Sequence, residues 1–158
     1  EIRFGDRFVC EIDVDERFQH CLIPKLVLQP LVENAIIHGV EVLDRDGRLV
    51  VESGLSGGDL LLRVRDNGGG MDPEKLERMR QKLSGAQLSK EKDIVGYRAG
   101  IGVVNVNNRI RLTYGEEYGV AIDSSPGQGT VVTLRMRAEE FGNVWKETVT
   151  FQGPFDMN

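Results

Sequence analysis

The stretch Leu60-Leu61-Leu62-Arg63-Val64-Arg65-Asp66-Asn67-Gly68-Gly69-Gly70-Met71-Asp72-Pro73-Glu74 decides the fold. Its first six residues read as a β-strand. Asp66 to Gly70 then stop that strand abruptly. Asp72 is placed to cap a helix, Pro73 suits its first position, and Leu76, Met79 and Leu83 supply an apolar stripe. Upstream, Leu49-Val50-Val51-Glu52 reads as a second strand, joined to the first by the turn residues Gly54 to Asp59. Downstream, Val120-Ala121-Ile122-Asp123 and Thr130 to Met136 form another strand pair around Ser125-Pro126-Gly127-Gln128-Gly129. Strands and helices interleave, yet two hairpins exclude an all-parallel doubly wound sheet. The expected class is α/β: a two-layer sandwich with a mixed, mainly antiparallel sheet covered on one face by helices.

The rest of the chain fits around this centre. Arg7 to Val14 alternates apolar and polar residues and predicts a half-buried strand. Pro24 opens an expected helix over Lys25 to Gly39, with Leu28, Leu31, Val32, Ala35 and Ile36 on one face and a bend or restart at Pro30. Gly100-Ile101-Gly102 feeds another helix carrying Val103, Val106, Ile110 and Leu112. Ser84 to Ala99 is polar and weakly periodic, the kind of long loop that is usually functional or mobile. The chain has 158 residues, enough to bury roughly 70% of the unfolded surface in one core. One domain over residues 1–138 is expected, with a tail over 139–158 that reads equally as an extra strand or as disorder.

Composition narrows the function. The chain carries 20 Lys+Arg against 25 Asp+Glu, a net charge of −5, with 40% hydrophobic and 28% charged residues. That balance suits a soluble domain and argues against a nucleic-acid partner recruited by bulk charge. No apolar run approaches the roughly 20 residues that span a bilayer. Cys10 and Cys21 make no metal or redox motif and read as free thiols. The 19 glycines are the compositional oddity, and many fall in short clusters.

Three polar clusters interrupt the apolar pattern. Asn34 and His38 lie one helical turn apart, with Glu33 on the margin of their face. An amide oxygen, a carboxylate and an imidazole suit a hydrated Mg²⁺ and a nucleophile, and the same spacing suits a solvated helix edge. Asp66 at a strand end is able to accept a hydrogen bond from an exocyclic amine such as adenine's, while Gly68 to Gly70 leave room for a flat ring; a plain turn reads the same way. The segment Gly96 to Gly102 opens a helix whose N-terminal amides suit phosphate. It is neither a P-loop nor a dinucleotide fingerprint.

Taken in order, Leu28-Gln29-Pro30-Leu31-Val32-Glu33-Asn34-Ala35-Ile36-Ile37-His38-Gly39, then Asp66 to Met71, then Gly100-Ile101-Gly102-Val103-Val104-Asn105-Val106-Asn107-Asn108-Arg109-Ile110 resembles the N, G1 and G2 boxes of sensor histidine kinases. Ser125 to Thr130 is similar to the last glycine box, and Leu-Gln-Pro-Leu-Val-Glu-Asn-Ala is similar to the LytS/YehU-like branch. The resemblance covers about Phe8 to Arg137. It implies a Bergerat-type ATP site. On that resemblance Asn34 ligates Mg²⁺ on the ATP phosphates, Glu33 is or supports the catalytic base, and His38 lies beside the phosphates. Asp66 reads the adenine amine, with Gly68 and Gly70 giving the ring space and Thr130 backing the pocket. Gly100 and Gly102 wrap the phosphates under a closing lid. Asn105 and Arg109 face the lid, and Arg109 either meets phosphate or pairs with a carboxylate.

The chain also departs from the family. Arg98 stands where the lid usually has its first glycine; its side chain either obstructs closure or meets phosphate, and the sequence leaves both open. No clear phenylalanine box occurs in Ser84 to Ala99. Neither His38 nor His20 has the setting of a phosphoacceptor. The resemblance therefore implies a catalytic ATP-binding domain whose partners are a separate histidine-bearing dimerisation domain and a response regulator. The parent is expected to be homodimeric and membrane-anchored, with this domain cytoplasmic. A serine kinase of the anti-sigma-factor type and a nucleotide-sensing or dimer-contact module without catalysis are the rival readings.

Overall fold

The computed structural model describes residues 2–3, 8–18, 20–40, 47–85, 100–140 and 143–144. Its main sheet has six strands in the order β1-β2-β3-β4-β6-β5, formed by Ile2–Arg3, Phe8–Asp13, Gly47–Ser56, Asp59–Asp66, Gly129–Arg137 and Gly119–Ser125 for β1, β2, β3, β4, β6 and β5 respectively. Only β2 and β3 run parallel; every other neighbouring pair is antiparallel. Three helices, α1 (Gln29–Asn34), α2 (Pro73–Ser84) and α3 (Ile101–Tyr114), share one core with the sheet. The mixed two-layer class expected from the two hairpins is therefore the observed one.

Period-two alternation sorts β4 and β6 between the layers. Leu60, Leu62 and Val64 of β4, with Val132, Leu134 and Met136 of β6, are buried in the same core as Leu31, Met79, Val103, Val106 and Ile110 from the helices. The same parity carries one step further to Asp66 and Thr130, which lie opposite each other at the strand ends. Two polar side chains are thus delivered to the helix-covered face by the alternation that builds the core.

Two local expectations are corrected. The helix expected over Lys25 to Gly39 is shorter at its start: Pro24 does not open it, and α1 begins at Gln29 with Pro30 in its first turn. Pro30 lacks an N–H, and a first turn leaves that group without an intrahelical partner anyway, so of the bend or restart expected at Pro30 the helix shows a start around the proline. Leu28 accepts from the amides of Leu31 and Val32, and Ala35–Val40 continue as a wider π-type turn. The hairpin turn expected over Gly54 to Asp59 is only Gly57-Gly58. Gly54 pairs with Leu61 inside the ladder, whereas Gly57 and Gly58 take φ of 61° and 87°. Such values favour glycine and match a tight two-residue hairpin.

Other sequence expectations stand or fall outside the described residues. Asp72 caps α2 by accepting from the Lys75 amide at 2.8 Å, and Gly85 ends that helix with φ of 78°. Cys10 and Cys21 form no disulfide. In the tail, Glu139–Glu140 (β7) pairs with Asn143–Val144 (β8). Residues 86–99, with Gly96 and Arg98, and residues 145–158 lie outside the described part.

Asn107, only 1% exposed, fastens the helical layer. Its amide nitrogen donates to the Leu83 carbonyl at the end of α2 (3.0 Å), and its oxygen accepts from the Val120 amide of β5 (2.9 Å). Replacing Asn107 by Ala leaves both backbone groups without this partner. We expect a loss of about 2–3 kcal/mol in stability. Urea unfolding followed by circular dichroism measures it; a loss under about 0.5 kcal/mol, the size of a neutral surface change, would show the two bonds to be dispensable.

Candidate nucleotide site

Where β4 ends and β6 begins, against α1 and the start of α2, a small open recess is lined by Leu31, Asn34, Ala35, Val64, Asp66, Gly70, Met71, Lys75, Thr130 and Val132. Its walls combine apolar side chains (Leu31, Ala35, Val64, Met71, Val132) with the polar groups of Asn34, Asp66, Lys75 and Thr130. Four residues singled out in the sequence meet there: Asn34 from α1, Asp66 from β4, Gly70 from the following loop and Thr130 from β6.

Asp66 is 6% exposed. The Gly68 amide donates to its Oδ1 at 2.8 Å, so Gly68 acts on the carboxylate from behind the recess. Burial pushes the carboxyl pKa above the usual range, and the backbone amides of Gly68 and Thr130 pull it part of the way back. A carboxylate half-compensated in this way retains acceptor capacity for a ligand donor.

The loop after Asp66 is locked to the β5–β6 turn. Gly127 donates its amide to the Gly69 carbonyl at 2.7 Å. A Cβ on Gly70 (φ 68°) would collide with the Ser125 carbonyl, and one on Gly129 (φ 87°) with the Asp66 carbonyl. Both positions need glycine for space as well as for conformation. The two glycine clusters read separately from the sequence are therefore one interlocked unit.

Other expected site residues are placed differently. Glu33 is exposed and outside the recess lining, and its Oε1 accepts from Gln29 Nε2 at 2.8 Å. Gly100 and Gly102 start α3 and are occupied with packing: a Cβ on Gly100 (φ 89°) would strike Met79, and one on Gly102 would lie 3.2 Å from Pro30 Cβ. Asn105 is exposed on α3. Arg109 is also exposed, and its Nη1 donates to the Lys25 carbonyl. The backbone of His38 lies in the turn after α1, and its side chain is outside the described residues.

Two contributors carried no motif of their own. Lys75 reaches the recess from the first turn of α2. Ser124 of β5 sits behind Thr130, accepting from the Met71 amide at 2.9 Å. A lysine in a helix and a serine in a strand leave no spacing signal; only the fold brings them here. Among the described residues no group of three or more His, Cys, Asp or Glu could hold a metal ion. Of the recess lining, Asn34 offers an amide oxygen and Asp66 a carboxylate as oxygen donors of the kind a hard cation would take.

Comparison with known proteins was consistent with this geometry. Residues 22–140 match the family described as histidine kinase-, DNA gyrase B-, and HSP90-like ATPase. The chain is 39% identical over 139 residues to the sensor histidine kinase YesM of Bacillus subtilis, covering 87% of this chain and 21% of that protein. It is 36% identical to the sensor histidine kinase YpdA of Escherichia coli, over 73% of this chain and 18% of the relative. It is 32% identical to the sensor protein LytS of Staphylococcus haemolyticus, over 86% and 22%. The chain thus spans about a fifth of the length of these relatives. Among solved structures, the catalytic domain of histidine kinase ThkA superposes with a TM-score of 0.54 at 12% identity, covering 82% of this chain and 79% of that one. The mycobacterial sensor histidine kinase MprB gives 0.53 at 14% identity, covering 85% of each. These two likenesses concern the fold.

The upward shift of Asp66 fixes the sign of a pH effect. The folded state holds this proton more tightly than the unfolded chain, so the unliganded domain should lose stability as pH rises from the ordinary carboxylate value of about 4 through the raised one. Asp66→Asn should flatten that segment of the curve. Thermal unfolding of both proteins across this range measures it, and parallel curves would contradict the assignment.

Proposed function

Since the chain belongs to the histidine kinase-, DNA gyrase B-, and HSP90-like ATPase family, as an ATP-binding catalytic domain of the sensor-histidine-kinase type, we propose that the recess at Asp66 binds the adenine of ATP and that the bound nucleotide donates its γ-phosphoryl group to a histidine outside this chain. The observation that carries the reading is the buried Asp66 carboxylate, braced by Gly68 and lining a recess with Thr130 and the apolar side chains of Leu31, Val64, Met71 and Val132. An exocyclic amine adds a further donor to those of the Gly68 and Thr130 amides, and Leu31, Val64, Met71 and Val132 supply apolar contact for a flat ring. The phosphates then run toward Asn34.

Asn34 is the residue we assign to Mg²⁺ on those phosphates. The ion supplies neutralisation of charge on the transferring group when bound. What the chain itself supplies is position: a carboxylate for the base edge, apolar side chains against the ring, and an amide oxygen at the phosphate end. Glu33 we assign as the base on its place next to Asn34 and its exposure, which suits a nucleophile arriving from another domain. Gly100, Gly102, Asn105, Arg109 and His38 complete the proposed phosphate side around the lid.

The proposal takes residues 1–138 as the nucleotide unit and 139–158 as a tail. Its partners are a histidine-bearing dimerisation domain and a response regulator, in a homodimeric, membrane-anchored parent with this domain on the cytoplasmic side. Among the described residues no helix is long and apolar enough to cross a membrane.

Calorimetry with ATP tests the site. Asp66→Asn should weaken binding about 10- to 100-fold, the range for losing a hydrogen bond to a charged group. Asn34→Ala should remove most of the gain in affinity that Mg²⁺ confers. Equal binding by the parent chain and Asp66→Asn would put the nucleotide elsewhere.

A further inference from the structure

Three polar side chains form one transverse row on the helix-covered face: Ser124 on β5, Thr130 on β6 and Asp66 on β4, each paired in register with the next. The last two line the recess, and Ser124 stands behind them. Its hydroxyl oxygen lies 2.9 Å from the Met71 amide, 2.8 Å from the Gly129 carbonyl and 3.0 Å from Thr130 Oγ1.

A serine hydroxyl has one proton and two lone pairs. The Met71 N–H only donates, so it occupies one lone pair. The Gly129 carbonyl only accepts, so it takes the proton. All three contacts are hydrogen bonds in a single arrangement alone, the one in which Thr130 donates to the remaining lone pair of Ser124. The Thr130 proton is then committed away from the recess, and its hydroxyl presents lone pairs.

We propose that Ser124 is a positioning residue for base recognition: it orients the Thr130 hydroxyl as an acceptor beside Asp66, so that the recess selects a ring edge bearing an amine donor. The inference rests on the nucleotide reading of the site and deepens it by naming what enforces the choice of base. Ser124 itself does not touch the ligand. It also ties the loop at Met71 to the β5–β6 turn, so a merely structural role has to be separated from an orienting one.

The ratio of two affinities makes that separation. ATP and purine riboside triphosphate, which keeps the ring and lacks the 6-amino group, are titrated into the chain by calorimetry. In Ser124→Ala the Thr130 hydroxyl loses its fixed acceptor and becomes able to donate to the ring nitrogen. ATP should weaken while the analogue holds or tightens, lowering the preference for ATP about 3- to 10-fold. Ser124→Thr, which restores a hydroxyl, should recover the preference. In a Thr130→Val background the Ser124→Ala change should leave the ratio where it was. Should Ser124→Ala not fold, Ser124→Cys, whose thiol is a weak acceptor, carries the same comparison. An unchanged ratio in the substituted protein, or an equal fall in the Thr130→Val background, would overturn the proposal with the site intact. Failure of the parent chain to bind ATP would overturn the nucleotide reading beneath it.

Discussion

Burying the Asp66 carboxylate between a sheet and its helices opposes ionisation, and the surrounding backbone is arranged around that penalty. Desolvation raises the carboxyl pKa, and the amides of Gly68 and Thr130 oppose the rise. Residues near them in the chain sit in close backbone approach. The Asp66 carbonyl leaves no room for a Cβ at Gly129, and the Ser125 carbonyl leaves none at Gly70. The glycines are thus the condition for bracing a charged group in an otherwise apolar layer, where an unbraced charge would simply take up a proton.

The remainder of the fold serves to aim this group. Alternation along β4 places Asp66 on the core face because Leu60, Leu62 and Val64 must be there. The same rule delivers Thr130 beside it. Opposite them, α1 presents Asn34 one residue before buried Ala35. Asn107 then holds α2, α3 and β5 together behind the site.

Much of this was legible in the sequence where a local rule had physical force. Asp72-Pro73 announces a helix start because one residue caps and the other needs no N–H partner. The glycine turns announce hairpins because the strands on either side alternate. The start of α1 was misplaced because Pro24 and Pro30 both fit a first turn, and the positive φ of 61° at Leu26 interrupts any helix running on from Pro24. The length of β3 was underestimated because Gly54 resembles a turn residue until its partner Leu61 is known. Ser124 and Lys75 were invisible: their roles depend on register and helix placement, which no short spacing records. The glycines at the start of α3 were read for phosphate, and the fold adds a packing requirement against Met79 and Pro30 that the spacing did not reveal.

The central claim is that the Asp66 carboxylate is a poised acceptor completed by a ligand amine. Titration of its carboxyl carbon by NMR, with and without saturating ATP, examines that most directly. Without nucleotide the pKa should lie above the ordinary value of about 4. With ATP it should fall, because a donor on the carboxylate favours the charged form. A pKa that is unshifted in the free domain, or that ATP leaves unchanged or raises, would contradict the account.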